Sequence, residues 1–223
     1  DAKYRIGLTG TLDGMQSHQL QLEGVFGTVN RSIRTKDLQE NGQLSDLKIN
    51  ILVCKHPYIG FETYHDEMNY IISHEKRNKI ITGLARDLNG NTLILFNYVE
   101  KHGEPLWEML NSRGEGKQVF FVHGGVPTQE REEIRRICES STNSIILASY
   151  GTFSTGINIK NLHNVIFASP SKSRIRNLQS IGRALRLHDS KSRATLYDFA
   201  DDISNGRNRN ATLNHLIERI RIY

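Results

Sequence analysis

Three stretches in the C-terminal half decide the fold class: Ser144-Ile145-Ile146-Leu147-Ala148-Ser149, Asn164-Val165-Ile166-Phe167-Ala168 and Ala194-Thr195-Leu196-Tyr197-Asp198-Phe199. Each is a short, largely apolar run of strand length, as expected of strands covered on both faces. Two more lie upstream, Thr92-Leu93-Ile94-Leu95-Phe96 and Gln118-Val119-Phe120-Phe121-Val122. Helix-period stretches fill the intervals. Residues 128–139 offer Thr128 as N-cap, Glu130 in the first turn, and Ile134, Ile137 and Cys138 on one face. Strands separated by helices imply right-handed βαβ units and an α/β fold with a parallel sheet between helical layers. Ligands then gather at the carboxyl ends of the strands.

Working outward, residues 62–88 carry Met68, Ile71, Ile72, Ile80, Ile81, Leu84 and Leu88 at helical spacing up to a break at Asn89-Gly90. Asp66-Glu67 in that stretch reads as a solvated helix face. Residues 12–60 are irregular, with one strand-like run, Leu47-Lys48-Ile49-Asn50-Ile51-Leu52-Val53, and read as a connector. A short apolar segment, Tyr4-Arg5-Ile6-Gly7-Leu8, opens the chain as a strand without a preceding element, and Asp1 is not an initiator Met. The chain is therefore expected to continue upstream.

The 223 residues hold 29 Lys+Arg against 24 Asp+Glu, 37% hydrophobic and 24% charged, a soluble globular profile with room for one α/β core and an appendage. No apolar run reaches the roughly 18 residues of a membrane span, and the first residues lack a signal-peptide core. Cys54 and Cys138 are too few for a disulfide framework or a zinc site and read as buried thiols in a reducing, cytoplasmic compartment. No metal site is expected. Charge is uneven: residues 171–223 hold 11 Lys+Arg and 5 Asp+Glu, so the positive excess lies at the C-terminal end. Such a cluster suits a phosphate-rich partner, as well as a plain solvated basic helix.

The most specific constellation is Gln179-Ser180-Ile181-Gly182-Arg183-Ala184-Leu185-Arg186. Residues 179, 183 and 186 stand at i, i+4 and i+7, which puts the amide and both guanidiniums on one helix face. Guanidiniums present planar donors that match phosphoryl oxygens, and Gly182 removes a side chain where a phosphate or backbone approaches.

This Q-x-x-G-R-x-x-R pattern between two strands resembles motif VI of superfamily 2 helicases and translocases. The resemblance implies that Arg183 and Arg186 reach across a cleft between two RecA-like lobes to ATP bound by the other lobe, at least one as an arginine finger, with Gln179 seating the motif. Ser149-Tyr150-Gly151-Thr152-Phe153-Ser154-Thr155-Gly156-Ile157-Asn158-Ile159 resembles motif V, a loop after a strand. It implies phosphate-backbone contacts from Ser149, Thr152 and Ser154, a tight turn at Gly156, and a nucleotide-facing end at Gly156 and Asn158. Many relatives carry Asp where Asn158 stands, so a neutral hydrogen bond replaces an ionised contact. Asn97 resembles motif IV, and His123-Gly124-Gly125 the accompanying backbone-contact loop, implying nucleic-acid contacts at Asn97, His123 and Gly124. Leu8-Thr9-Gly10-Thr11 resembles motif III, implying inter-lobe coupling through Thr9, Gly10 and Thr11. These matches run from residue 8 to 199. The finer wording of residues 7–14, 22–27 and 171–178 is similar to phage helicases of the UvsW type.

A P-loop, G-x-x-x-x-G-K-[ST], is not found: Gly116-Lys117 is followed by Gln118, and position 111 is Asn. The Walker B role, an acidic pair that closes an apolar strand of the nucleotide-binding lobe, reads as unfilled, since Asp66-Glu67 lies in a helical pattern. The resemblance assigns both motifs, and most of the hold on ATP and Mg²⁺, to a first lobe. No G-x-S-x-G, H-E-x-x-H or paired-Cys motif supports a serine hydrolase, zincin or zinc finger. The expected organisation is the tail of a first RecA-like lobe over residues 1–24, a connector over 25–61 and a second RecA-like lobe over 62–223. The implied parent is an ATP-dependent DNA helicase acting on branched or single-stranded DNA or an RNA–DNA hybrid, with a role in recombination or repair, and the lobe alone is expected to be inactive. Two rivals stand beside it, because fold does not fix function: a non-catalytic nucleic-acid-binding module, and a small-molecule enzyme on a doubly wound sheet. The enzyme rival requires a pocket closed within this chain; the helicase reading requires outward-facing arginines.

Overall fold

Strict alternation divides the side chains of each central strand between two faces, and both are buried. In the computed structural model, Leu93 and Leu95 join one core with Ile146, Ala148, Val165 and Phe167, while Ile94 and Phe96 join another with Ile145, Leu147, Ile166 and Ala168. The strands are β1 (Asp46–Lys55), β2 (Thr92–Phe96), β3 (Gln118–Val122), β4 (Ser144–Ser149), β5 (Asn164–Phe167) and β6 (Arg193–Asp202). They form one six-stranded sheet in the order β1-β6-β5-β2-β4-β3, and every pairing is parallel. The structure describes residues 3–9, 12, 15–30, 35–112, 116–156, 159–171, 173, 180–182, 186–206, 208–221 and 223, without the side chains of 35–36 and 154–156.

The first face is covered by α6 (Thr128–Ser140), through Ile134 and Cys138, and by α7 (Tyr150–Gly156), through Tyr150 and Phe153, with Ile159 and Ile181. The second is covered by α4 (Glu75–Asp87), through Ile81 and Ala85, and by α5 (Glu104–Asn111), through Leu106 and Leu110. A π-helical turn, Val99–Gly103, leads into α5. Its last residue must be glycine, because a Cβ there would lie 2.7 Å from the Phe96 ring and 3.0 Å from Phe121. Gly90, at φ 83°, makes the left-handed turn between α4 and β2, where a Cβ would lie 2.4 Å from His163.

Several expectations need correction. The run 47–53, placed in the connector, lies in β1, which pairs with β6 from Asp46↔Arg193 to Lys55↔Asp202 and forms an edge of the sheet. The α/β unit therefore reaches back to residue 46. The single helix over 62–88 is two, α3 (Tyr64–Ser73) and α4, broken at His74, whose Nδ1 accepts the Arg77 N–H at 3.3 Å as the N-cap of α4. Glu67 is not solvated. It is 4% exposed and accepts from Asn210 Nδ2 (2.7 Å), Ala211 N (3.0 Å), Thr212 N (2.8 Å) and Thr212 Oγ1 (2.6 Å), holding the first turn of the C-terminal helix Ala211–Ile220. Thr128 is the first residue of α6, after a Pro127 N-cap that has no side-chain acceptor. Cys138 is buried, but Cys54 is half-buried.

Residues 4–8 form no strand, because no neighbouring strand pairs with them, and Tyr4, Ile6 and Leu8 are 78%, 82% and 94% exposed. Behind them the stretch expected to be irregular holds α1 (Gln16–Phe26), none of whose residues is buried, and α2 (Thr35–Glu40). No helix among the described residues is long and apolar enough to cross a membrane.

Candidate functional site

Four parallel strands end side by side. Val122 lies opposite Ala148, Phe96 opposite Ser149 and Leu95 opposite Phe167. The segments starting at His123, Tyr150, Asn97 and Ala168 thus leave the sheet in the order β3, β4, β2, β5, across about 15 Å at ordinary strand spacing. The sheet brings together the stretches named motif IV, its companion loop, motif V and the approach to motif VI.

Side chains at this edge are turned to different tasks. Asn97, half-buried, donates its amide N–H to Ser169 Oγ at 3.1 Å and its Nδ2 to Pro170 O at 3.1 Å. It ties the end of β2 to the segment that follows β5. His102, in the π-helical turn and fully buried, reaches the same hydroxyl with Nδ1 at 2.9 Å and Asn78 Oδ1 with Nε2 at 3.3 Å. The Asn78 oxygen can only accept, so Nε2 carries the proton, and Ser169 Oγ donates to Nδ1 while accepting from Asn97. Burial, with the nearby Arg77 charge, pushes the His102 pKa down to about 3, so the ring is neutral at pH 7.

The next residue but one is held from the other side. Arg219, 2% exposed on the C-terminal helix, binds Asp198 through Nε (2.7 Å) and Nη2 (2.9 Å) and donates Nη1 to Ser171 O at 3.3 Å. Tyr223 also donates to Asp198, at 2.5 Å. At the far end of motif VI, Ser45 Oγ donates to Arg186 O at 3.4 Å. Between these anchors Ser180 and Ile181 are buried, Ile181 within the first core, while Gly182 is exposed with nothing described within 4 Å of a Cβ placed on it. Arg186 is half-buried. Gln179 and Arg183 lie outside the described residues.

Motif V starts as a helix, not the expected loop. Ser149 is its N-cap: Oγ accepts Thr152 N–H at 3.3 Å and donates to Thr152 Oγ1 at 2.8 Å. Thr152 is buried at 6% exposure, so the two hydroxyls serve one another and Gly151 is the exposed residue of that turn. Gly156 is the last residue of α7. The Ser154 side chain and Asn158 fall outside the described residues. His123 and Gly124 form a turn closed by Val126 N to His123 O at 3.0 Å, with His123 Nδ1 accepting from Gly125 N at 3.2 Å. Gly124 is exposed, and the His123 ring packs 5.0 Å from Phe121, itself stacked 6.1 Å from Trp107. Thr9 is exposed, and Gly10 and Thr11 lie outside the described residues.

His102, Ser169 and Arg219 escaped sequence reasoning. A signal existed for Arg219: with Thr212 and Leu216 it repeats at i, i+4, i+7 along one buried face. His102 carries none.

Residues 75–188 match the helicase conserved C-terminal domain. The chain belongs to that family. Over 99% of its length this superfamily 2 helicase C-terminal domain is 36% identical to the ATP-dependent DNA helicase UvsW of Enterobacteria phage T4, covering 47% of that protein. The crystal structure of T4 UvsW superposes on 92% of the chain with a TM-score of 0.67 at 34% identity, covering 42% of that structure. A further relative is the putative ATP-dependent helicase IRC3 of Saccharomyces cerevisiae, 27% identical over 48% of this chain and 15% of its own. A DEAD box protein from Methanococcus jannaschii shares the fold, with a TM-score of 0.52 over 93% of this chain and 46% of that one at 17% identity. The helicase C-terminal domain described here thus spans about half of UvsW and less of IRC3.

Proposed function

We propose that the chain is the second RecA-like lobe of an ATP-dependent superfamily 2 DNA helicase or translocase of the UvsW type. Residues 1–24 would end the first lobe and couple to it through Thr9, Gly10 and Thr11. The observation that carries the proposal is the anchoring of the motif VI segment. Ser171 before it is held by Arg219, Arg186 at its end by Ser45, and Ile181 within it is buried. The Q-x-x-G-R-x-x-R spacing would put Gln179, Arg183 and Arg186 on one helix face, a display that suits guanidiniums reaching a nucleotide on another lobe better than ones closing a pocket within this chain.

In this reading Arg183 and Arg186 stabilise negative charge that develops on the transferred phosphoryl group, and Gln179 seats them. Charge that appears only in the transition state is where such donors raise the rate. Gly156 and Asn158 approach the nucleotide from β4. The donors here suit phosphoryl oxygens rather than Mg²⁺: no group of three His, Cys, Asp or Glu side chains among the described residues could hold a metal ion. Mg²⁺ and most of the ATP contacts are left to a P-loop lobe. Nucleic acid, as branched or single-stranded DNA or an RNA–DNA hybrid, would lie along the β3-β4-β2 edge. There the His123-Gly124 turn and the first turn of α7, with Ser149 and Ser154, would supply sequence-indifferent contacts, while Asn97 and Thr152, expected to touch the strand as well, hold that edge from within.

The experiment compares DNA-stimulated ATP hydrolysis by the 223-residue chain and by the same chain joined to a first lobe bearing a P-loop. The reading expects turnover only in the joined form. Turnover by the chain alone would reject the lobe assignment.

A further inference from the structure

The sheet has two outer strands, β1 and β3, and the sequence treats them differently. β1 carries Lys48 and Lys55, both exposed, the residue type by which natural sheets keep an outer strand from pairing with another chain. β3 reads Gln118-Val119-Phe120-Phe121-Val122, with neither charge nor proline. The cations beside it are engaged elsewhere: Lys117 Nζ donates to the carbonyls of Ala85 (3.2 Å), Leu88 and Gly90 (3.2 Å), and Arg131 Nε to Val126 O at 2.7 Å. Gln118 N donates to Asn143 O at 3.2 Å, so in the parallel ladder Gln118, Phe120 and Val122 turn their backbone groups to β4. Those of Val119 and Phe121 point away from the sheet, where no described strand pairs with them.

Along that open side runs a groove of about 390 Å³, lined by Val119 and Phe121 of β3, Trp107 of α5, and Ile134 and Ile137 of α6. Trp107 is 40% exposed, a large apolar surface left in water. Glu130 and Glu133 also line the groove, and with the two isoleucines they share one stripe of α6 at i, i+3, i+4 and i+7. No Lys, Arg or His among the described residues lines it. The ion pairs of α6 join Arg135 and Arg136 to Glu132 and leave Glu130 and Glu133 without one among the described residues. Glu104 and Glu108, close to Trp107 in sequence, are exposed on α5 as well. So many carboxylates repel a phosphate backbone and attract cations.

We propose that the open side of β3 takes an extended segment of a partner protein as an added strand, apolar at the positions that face Trp107 and Lys or Arg at those that face α6. The outward backbone groups of Val119 and Phe121 pair with the segment, and its side chains alternate between the two walls. On the α6 side the stem of a Lys or Arg covers Ile137 while its head reaches Glu130 or Glu133. The surface goes beyond the function proposed above, since it uses none of the motif IV, V or VI residues.

The test titrates the 223-residue chain, at constant ionic strength, with a blocked peptide of alternating valine and arginine. Binding is read by the fluorescence of Trp107, the one tryptophan of the chain, and by hydrogen exchange at the Val119 and Phe121 amides. Saturable binding that shifts the fluorescence and slows both amides is expected. The exposed pair Glu130→Lys/Glu133→Lys, checked for folding by circular dichroism, weakens it roughly tenfold or more and gains affinity for a peptide of alternating valine and glutamate. A peptide with proline in place of every second valine does not bind, because proline has no N–H to give to the ladder. The proposal is overturned by absence of saturable binding, by equal binding of the proline peptide, or by indifference to the charge reversal. It is overturned equally if a single-stranded oligonucleotide, or a second copy of the chain at rising concentration, protects the two amides and shifts Trp107 where the peptide does not.

Discussion

The His102 ring shows how one residue can tie the approach to motif VI to the core and set a pH limit on the domain. Its pKa falls from 6.5 to about 3 on folding, chiefly through burial. Between those values the unfolded chain binds the extra proton, so stability falls as pH drops through that window. From pH 7 to 5 this one group removes about 2 kcal/mol, the slope rising toward 1.36 kcal/mol per unit once the unfolded ring is protonated. Replacing it in His102→Gln should flatten the dependence of unfolding free energy on pH between 7 and 5; parallel curves for variant and wild type would refute this. The same residues show what sequence could not supply. Residue types at the carboxyl ends of the strands were legible, but their direction was not. Asn97 serves the Ser169-Pro170 segment, and Thr152 folds under its own N-cap, because a buried backbone or hydroxyl group must be satisfied before a ligand arrives.

Among the elements, the central strands were legible because burial on both faces leaves an unbroken apolar run. Sequence pattern marked β1 as a strand but could not say which sheet it joins. The α3–α4 break hid behind His74, outside the usual N-cap set, and α7 behind Ser149, whose spacing to Thr152 is that of a cap as well as a loop. Glu67 was misread for a related reason: a carboxylate beside apolar helix positions looks solvated until the partner helix, 145 residues later in chain, brings its amides. Through this carboxylate α3 fixes the C-terminal helix, and through Arg219 that helix fixes Ser171. Glu67→Ala should cost about 3 kcal/mol, with Glu67→Gln milder, because the free N–H groups of a helix start lose a charged acceptor. Amide hydrogen exchange in Glu67→Ala should accelerate first in residues 211–220. Uniform acceleration across the sheet, with that helix still protected, would contradict the link.

For the whole molecule, the uneven charge and the backbone contacts proposed for the sheet edge predict sequence-indifferent binding to single strands. Its logarithmic salt slope should be near −0.7 per phosphate neutralised, and a strong preference for one sequence at fixed salt would count against this. The proposed action of the motif VI arginines is on a nucleotide held by another lobe. It is tested most directly by Arg183→Ala in the chain joined to a P-loop lobe, assayed for ATP hydrolysis at saturating ATP and saturating DNA, with nucleotide affinity measured on the same variant. An arginine acting only on the transition state predicts a fall in kcat of about 10³ to 10⁵, or about 4 to 7 kcal/mol of barrier, with ATP affinity nearly unchanged. Arg183→Lys should rescue it only in part. A kcat close to wild type at saturating DNA, with only the DNA requirement raised, would contradict the account and move Arg183 to the nucleic-acid track.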